Sequence, residues 1–295
     1  MAASSTTATD RPRVRPRRSA QAITGSFEGW AGLGLVARFV LVVVLGPTGA
    51  PYSPTESAVC LPDTGPAAGH PLGCDALGRD VLSRILHGGA SVIAVPLAAT
   101  VLAFGIGGTV GMVAGYRGGG FDRIASVAID VLLAVPPLLV VLVVITAAGG
   151  SAAVIVLSVG MVYAPRVARI LRGATQAVAT SDYVAVAQAR GERTLSIVMR
   201  ETLPNIAPTV FVEFAVRLTY VIIFVATLNF LGLGAQPPSS NWGLMVAESR
   251  ATIVQNPIAT LAPALSIALL SIGISLLADA VTHHRRVPGA EDYTR

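Results

Sequence analysis

The chain of 295 residues contains no lysine, so all 21 of its basic residues are arginine. Without lysine the sequence has no P-loop of the GxxxxGK[ST] form, no Schiff-base lysine and no lysine general base. Any ATP that the function consumes must therefore be bound by another chain. The sequence has only four histidines and two cysteines and shows no GxSxG motif, so we expect no catalytic residue, no metal and no cofactor in this chain.

Charge is also scarce. Only 13% of the residues are charged, whereas a soluble domain carries about 25%, and 53% are hydrophobic, with a mean hydropathy of +0.68. A single globular core of this size cannot bury so many apolar residues. The composition excludes an ordinary soluble enzyme and predicts a polytopic membrane protein.

Apolar runs close to the length of about 20 residues that crosses a bilayer predict an all-α fold with six transmembrane helices. The predicted divisions are a disordered basic tail (1–29), a first transmembrane helix (30–46), a loop (47–89), a core of five transmembrane helices (90–281) containing a polar loop (172–207), and a second tail (282–295). We expect the first helix to be retained rather than cleaved as a signal peptide, because Arg38 interrupts it and no clear A-x-A site follows.

The arginines predict the orientation of these helices, because cytoplasmic segments of membrane proteins carry an excess of basic residues. With both termini in the cytoplasm, sixteen arginines lie inside and only Arg79, Arg84 and Arg250 lie outside. Arg38 and Arg217 fall within predicted spans. We therefore expect a bacterial inner-membrane protein with both termini and the polar loop in the cytoplasm.

The polar loop is predicted to contain two short helices. Ser181 or Asp182 can cap the first helix, and Gly191 can end it in the left-handed conformation. We expect the second helix to run from Thr194 to Thr202 and to stop before Leu203-Pro204-Asn205, with one shared face formed by Leu195, Val198, Met199 and Thr202. An ordinary amphipathic loop is an equally acceptable interpretation of this pattern alone.

At this loop the sequence resembles a known family. Ala187, Gly191, Ile197 and Leu203-Pro204-Asn205 match the EAA loop of binding-protein-dependent ABC transporter permeases. Further segments resemble signatures of the peptide/nickel subfamily in the same order, at residues 70–84 (HPLGCDALGRDVLSR), 114–123, 130–136 and 230–243. Over residues 70–280 the chain is most similar to the C-type permease of dipeptide and oligopeptide importers.

The resemblance implies a type I ABC importer permease fold and the transport of di- and oligopeptides. It implies three kinds of protein partner, namely a second permease, two ABC ATPase subunits and an extracytoplasmic substrate-binding protein; we expect no nucleic-acid partner. It also implies that the loop contacts the ATPase, through Asp182, Tyr183, Ala187, Gly191, Ile197, Leu203 and Pro204. Two positions depart from the family's pattern, Ala185 for the leading Glu and Glu201 for a basic residue or His, and they change the charge expected of this surface.

Three alternatives to a peptide permease remain open from the sequence. A permease for nickel or another small ligand would carry the same motifs. A self-contained secondary transporter is disfavoured because the six spans show no clear inverted repeat. An intramembrane enzyme or a scaffold is disfavoured because no catalytic set is present.

Two residue pairs have a predicted interaction. Glu213 and Arg217 lie four residues apart in the fifth span, where they can form an intrahelical ion pair; the pair is either structural or part of the translocation path. Cys60 and Cys74 lie in the first loop, which the predicted topology places in an oxidising compartment. We expect a disulfide between them, and two free thiols are the alternative.

Glycine and proline mark two of the predicted spans. Gly107, Gly111 and Gly115 share one helix face and predict close packing, either within this chain or against the second permease. Pro136-Pro137 predicts a kink in the third span.

Overall fold

The computed structural model describes residues 27–283, and within this range it contains helices and two isolated β-bridges but no strand. The all-α prediction is therefore confirmed for the described residues. Most of the two predicted tails, at 1–29 and 282–295, lies outside them.

Eleven α-helices follow one another along the described chain. They are α1 (Phe27–Gly49), α2 (Val81–Ala103), α3 (Thr109–Arg117), α4 (Gly119–Ala134), α5 (Pro137–Ala148), α6 (Ala152–Ala179), α7 (Asp182–Ala189), α8 (Thr194–Ile197), α9 (Leu203–Phe230), α10 (Trp242–Ser249) and α11 (Pro257–His283). A π-helical turn at Phe104–Gly108 joins α2 to α3, and another at Val198–Thr202 joins α8 to α9.

Six membrane spans are present if one broken helix is counted as a span. Five helical stretches are long and apolar enough to cross a membrane, and the sixth candidate is the pair α4 and α5, which meet at an angle of 78°. The break lies at Val135 and Pro136, both in extended conformation. Proline has no backbone N–H and clashes with the preceding helical turn, so Pro136-Pro137 ends α4 and restarts the chain as α5.

Successive spans run up and down between two ends of the bundle. One end carries residues 50–80 and 231–256, which we call the cap. The other end carries residues 181–202, which we call the knob, together with the first residues of α1 and the last residues of α11. The short link 149–151 between α5 and α6 lies at the cap end, where Gly150 approaches the Leu233 carbonyl.

Two apolar clusters hold the bundle together. The first joins α1, α2, α9, α10 and α11 around Trp242, which packs edge-on against Phe39 at 5.5 Å between ring centroids and donates its indole N–H to the Ile85 carbonyl at 3.0 Å. The second joins α2, α5, α6 and α9 around Val159 and Val221, both fully buried. In the first cluster, the hydrogen bond to Ile85 gives the buried indole N–H of Trp242 the partner that a desolvated donor requires.

The π-helical turn at Phe104–Gly108 and α3 approach α6 through the predicted glycine face. A Cβ atom added at Gly107, Gly111 or Gly115 would collide with the backbone carbonyl oxygens of Ala164, Ala168 and Arg172, respectively. The close packing that these glycines predict is thus made within this chain.

The polar loop is shorter than predicted, because both flanking helices extend into it. Helix α6 continues to Ala179 and α9 begins at Leu203, so residues 180–202 replace the expected 172–207. The expectation that the helix stops before Leu203-Pro204-Asn205 is wrong. Pro204 lies in the first turn of α9, directly after the π-helical turn, where a missing N–H is tolerated.

Candidate functional site

The knob is built from α7, a glycine turn and α8. Gly191 has φ of +73°, which an L side chain rarely adopts, and follows α7 as the sequence predicted. Its N–H donates to the Gln188 carbonyl at 2.9 Å, and the N–H of Glu192 donates to the Ala187 carbonyl at 3.3 Å. This is the Schellman pattern, and it reverses the chain between the two short helices.

A small apolar cluster fixes the two knob helices against the bundle. Val184, Ala187 and Ile197 are buried together, and Tyr116 at the end of α3 packs against them. The Gln188 side chain also donates to the Tyr116 hydroxyl at 3.2 Å. Ala187 and Ile197, which the resemblance assigns to the ATPase contact, therefore point into the knob and position its surface.

The exposed side of the knob contains the other predicted residues and three further apolar side chains. The sequence analysis assigned two of these, Leu195 and Met199, to a shared helix face and did not single out Val186. Asp182, Tyr183, Gly191 and Pro204 are exposed and Leu203 is half-buried. The additional apolar side chains and their exposed fractions are Val186 (55%), Leu195 (63%) and Met199 (50%). Such a group of solvated apolar side chains is typical of a protein-binding surface.

The expected common face of the second knob helix is wrong. Leu195 and Met199 are exposed, whereas Val198 and Thr202 are buried. The π-helical turn at Val198–Thr202 has more residues per turn than an α-helix, so it changes the angular spacing that a regular helix would give these side chains.

Charge does not dominate the knob surface. Residues 181–202 contain three acidic residues and three arginines, and Arg190 pairs with Glu192 at 2.7 Å. Ala185 is exposed and Glu201 is half-buried at the two positions that depart from the family motif. A partner would therefore recognise this surface mainly through its apolar side chains.

The structure pairs Glu213 with Arg217 inside α9. The Arg217 Nε donates to Glu213 Oε1 at 3.0 Å, and both residues are 8% exposed. The Arg217 guanidinium also lies over the rings of Tyr163 and Tyr220, at 5.8 and 5.9 Å from their centroids. The charge is thus surrounded by a carboxylate and two aromatic faces, which lowers the cost of burying it.

Two ion pairs that the sequence analysis missed join α4 to α6 on the knob side of the break. Arg172 forms a two-pronged contact with the Asp122 carboxylate, with Nη2 to Oδ2 at 2.7 Å, and Gln176 donates to the same carboxylate at 3.3 Å. Arg169, one turn before Arg172 in α6, pairs with Asp130. These pairs fix the first half of the broken span to the neighbouring span.

A buried ion cluster joins the two parts of the cap. Asp75 Oδ2 accepts from Arg79 Nε at 2.7 Å and from Arg84 Nη1 at 2.6 Å, and both arginines reach Glu248 Oε2 at 2.9 and 2.8 Å. Asp75, Arg79 and Arg84 are at most 3% exposed. The sequence contained one sign of this cluster, because the 70–84 motif contains four charged residues. It contained no sign of the pairing with Glu248, which lies 164 or more residues further along the chain.

Cys60 and Cys74 are joined in the structure as a disulfide, with their Cα atoms 6.4 Å apart. A ring nitrogen of His70 lies within 4.8 Å of both sulfurs. The sequence did not predict this grouping of two cysteines and a histidine, because ten residues and a turn separate His70 from Cys60.

Comparison with known proteins gives the chain a family. Residues 107–287 match the binding-protein-dependent transport system inner membrane component family. A glutathione transport system permease protein of Pectobacterium atrosepticum is 37% identical over 217 residues, covering 74% of this chain and 72% of the relative. A dipeptide transport system permease protein of Alkalihalophilus pseudofirmus is 31% identical over 252 residues, covering 85% and 82%.

Comparison with solved structures agrees on the fold. A chain of the MetNI methionine ABC transporter, solved in inward-facing conformations, superposes with a TM-score of 0.55 at 19% identity, covering 68% of this chain and 95% of that chain. At this identity the likeness concerns the fold alone. The chain therefore belongs to the family of binding-protein-dependent transport system inner membrane components and is a non-catalytic, multi-pass permease subunit of an ABC importer.

Proposed function

We propose that this permease imports short peptides, a class that includes dipeptides and the tripeptide glutathione. The proposal is supported by relatives named for dipeptide and glutathione transport, each aligned over more than two thirds of both chains. The permease would form the translocation path together with a second, homologous permease. Two ATPase subunits would drive it, and an extracytoplasmic binding protein would deliver the substrate.

The knob supports the ATP-driven part of this proposal, because it offers a mechanical connection between a separate ATPase and the membrane spans. Its exposed apolar face can dock on an ATPase subunit, and its core is fixed to α3 through Tyr116. Residues Thr194–Phe230 form one helical stretch of 37 residues. A displacement imposed on Leu195 or Met199 would therefore be transmitted directly into the membrane-spanning part of α9.

The proposed orientation places the knob in the cytoplasm and the cap outside. The sixteen arginines predicted for the cytoplasmic side support it. Two of the three arginines on the opposite side, Arg79 and Arg84, are neutralised by Asp75 and Glu248 within the cap cluster. The third, Arg250, lies over the Phe230 ring at 5.4 Å. The positive-inside rule counts basic residues rather than net charge, so sixteen arginines against three support this orientation.

Substrate class is tested with the complete importer, purified with its second permease, ATPases and binding protein and reconstituted in vesicles. We expect ATP-dependent accumulation of labelled dipeptide or glutathione, suppressed by excess unlabelled peptide and unaffected by nickel ions. Accumulation of nickel but of neither peptide would replace the proposed substrate class with the metal alternative.

The docking surface is tested by charging one of its apolar side chains. In Leu195→Glu, a carboxylate would have to be desolvated at the interface, so we expect the ATPase to be lost from the purified complex. Val254→Glu is a matched control, because Val254 is 88% exposed in the cap. Equal ATPase recovery with both variants would show that the knob does not dock the motor.

A further inference from the structure

The cap contains a group of side chains to which the proposed transport function assigns no role. Sγ of Cys60, Sγ of Cys74 and a ring nitrogen of His70 all lie within 4.8 Å of one another. Two cysteines and one histidine are a ligand set for thiophilic cations, and a Cys₂His set with a fourth, open position holds catalytic zinc in other proteins. We propose that the dithiol form of the cap binds one Zn²⁺ through these three residues.

His70 is held in the manner of a metal ligand. Its Nδ1 is 2.9 Å from Asp80 Oδ1, and its ring stacks on Tyr52 at 4.9 Å between centroids. With Nδ1 donating to a carboxylate, Nε2 carries the free lone pair, as it does in carboxylate–histidine–zinc sites. Asp80 is itself fixed, because its Oδ2 accepts from the Ser83 N–H at 2.8 Å and the Ser83 hydroxyl at 2.7 Å.

Burial and charge also suit a divalent cation. Cys74 is fully buried and His70 is 9% exposed, so both ligands are already largely desolvated. Two thiolates neutralise the charge of Zn²⁺, and the histidine binds as a neutral imidazole. The two thiols would release two protons on binding, and one water molecule would complete the tetrahedral coordination.

The disulfide and the zinc site are alternative states of the same residues. Zinc–sulfur bonds of about 2.3 Å place two zinc-bound sulfurs roughly 3.8 Å apart, so the S–S bond must be absent. The Cys60 side chain is only half-buried, whereas Cys74 is fully buried, so Cys60 is the one that would move to open this separation. Both states connect the same two points of the cap, and Asn256 fixes one of them by donating to the Cys74 carbonyl at 3.0 Å.

The test uses the full-length permease in detergent, first as purified and then after treatment with a water-soluble phosphine. The phosphine takes one oxygen atom from water, and the disulfide gains two protons and two electrons to become two thiols, which are counted by maleimide labelling. Zinc binding is then measured by competition with a chromophoric chelator. Cobalt substitution adds a second measurement, because thiolate-to-cobalt charge transfer absorbs in the near ultraviolet only when sulfur is bound.

We expect one equivalent of zinc in the reduced protein and none in the oxidised protein. Cys60→Ser or Cys74→Ser should abolish the cobalt–thiolate absorption or halve it, and His70→Gln should weaken zinc binding at least tenfold. Asp80→Asn keeps an acceptor at the start of α2 but removes the carboxylate that orients His70, so we expect zinc affinity to fall by about 10–100-fold. His87→Gln is the matched control and should bind zinc as the wild type does.

Three results would overturn the proposal. One is equal zinc binding by the reduced wild type and the Cys60→Ser/Cys74→Ser double variant. Another is zinc binding by the oxidised protein at the level of the reduced protein. The third is a folded protein whose disulfide the phosphine does not open, because the dithiol site would then not exist in the native structure.

Discussion

Asp75 accepts hydrogen bonds from Arg79 and Arg84 in the cap, and both arginines also reach Glu248. Inside α9, Glu213 pairs with Arg217 between two tyrosine rings. Buried charges in the described part of the chain thus occur with partners, as the cost of desolvating an unpaired charge requires. The cap pairs fix residues 75–84 to α10, whereas the Glu213–Arg217 pair lies within α9.

The cap cluster gives the first prediction. Asp75→Asn keeps the shape of the side chain but leaves two buried arginines with one carboxylate, so we expect the free energy of unfolding to fall by about 3–5 kcal/mol. Thermal unfolding of the purified protein in detergent measures the change. Glu56→Gln, an exposed change in the same loop, is the control and should move the midpoint little; equal midpoints for both variants would argue against the cluster.

The α9 pair gives the second prediction, which separates its two interpretations. Glu213→Gln alone leaves Arg217 buried without its anion and should destabilise the protein by about 3–5 kcal/mol, whereas the double variant Glu213→Leu/Arg217→Leu should recover most of that loss. If the pair is structural, the double variant also retains transport by the complete importer. A stable double variant without transport would place the pair on the translocation path.

At the scale of the elements, the sequence predicted the helices well and their ends less well. The six apolar runs and the break at Pro136-Pro137 follow from length, hydropathy and proline chemistry. The start of α9 does not, because a π-helical turn at Val198–Thr202 allows Pro204 to follow a helix that the sequence pattern would end. The exposure of Val186, Leu195 and Met199 was not predicted for a related reason, since exposure depends on how α7 and α8 pack on Tyr116.

The contact between α3 and α6 gives the third prediction. Gly111→Ala places a methyl group against the Ala168 carbonyl, and the helices must separate, at a cost of about 1–3 kcal/mol. Gly105→Ala is the matched control, because nothing lies within 4 Å of its added Cβ atom. Thermal unfolding should therefore show a lower midpoint for Gly111→Ala only, and a loss of the same size in both variants would contradict the packing interpretation.

At the scale of the whole molecule, the chain is a bundle whose two ends have different chemistry. The cap is held by a disulfide and a buried ion cluster, whereas the knob exposes apolar side chains with balanced charge. The sequence could predict the cysteine pair and the position of the knob. It could not predict the cap cluster, because Glu248 meets Arg79 across 169 residues of chain and no local periodicity records that contact.

Orientation gives the fourth prediction. In a chain whose native cysteines are replaced by serine, a cysteine at position 61 or 195 would substitute for a leucine that is 75% or 63% exposed. A membrane-impermeant maleimide added to intact cells should label Leu61→Cys at once. It should label Leu195→Cys only after the membrane is permeabilised, and the reverse order would invert the proposed topology.

The most direct test of the account compares the isolated chain with the assembled importer in vesicles. The described chain has no P-loop and no lysine, so vectorial transport should depend entirely on the separate ATPase. We predict ATP-dependent peptide accumulation by the assembly, insensitive to a protonophore, and no accumulation by the chain alone under an imposed proton gradient. Accumulation by the isolated chain, abolished by the protonophore, would contradict the account.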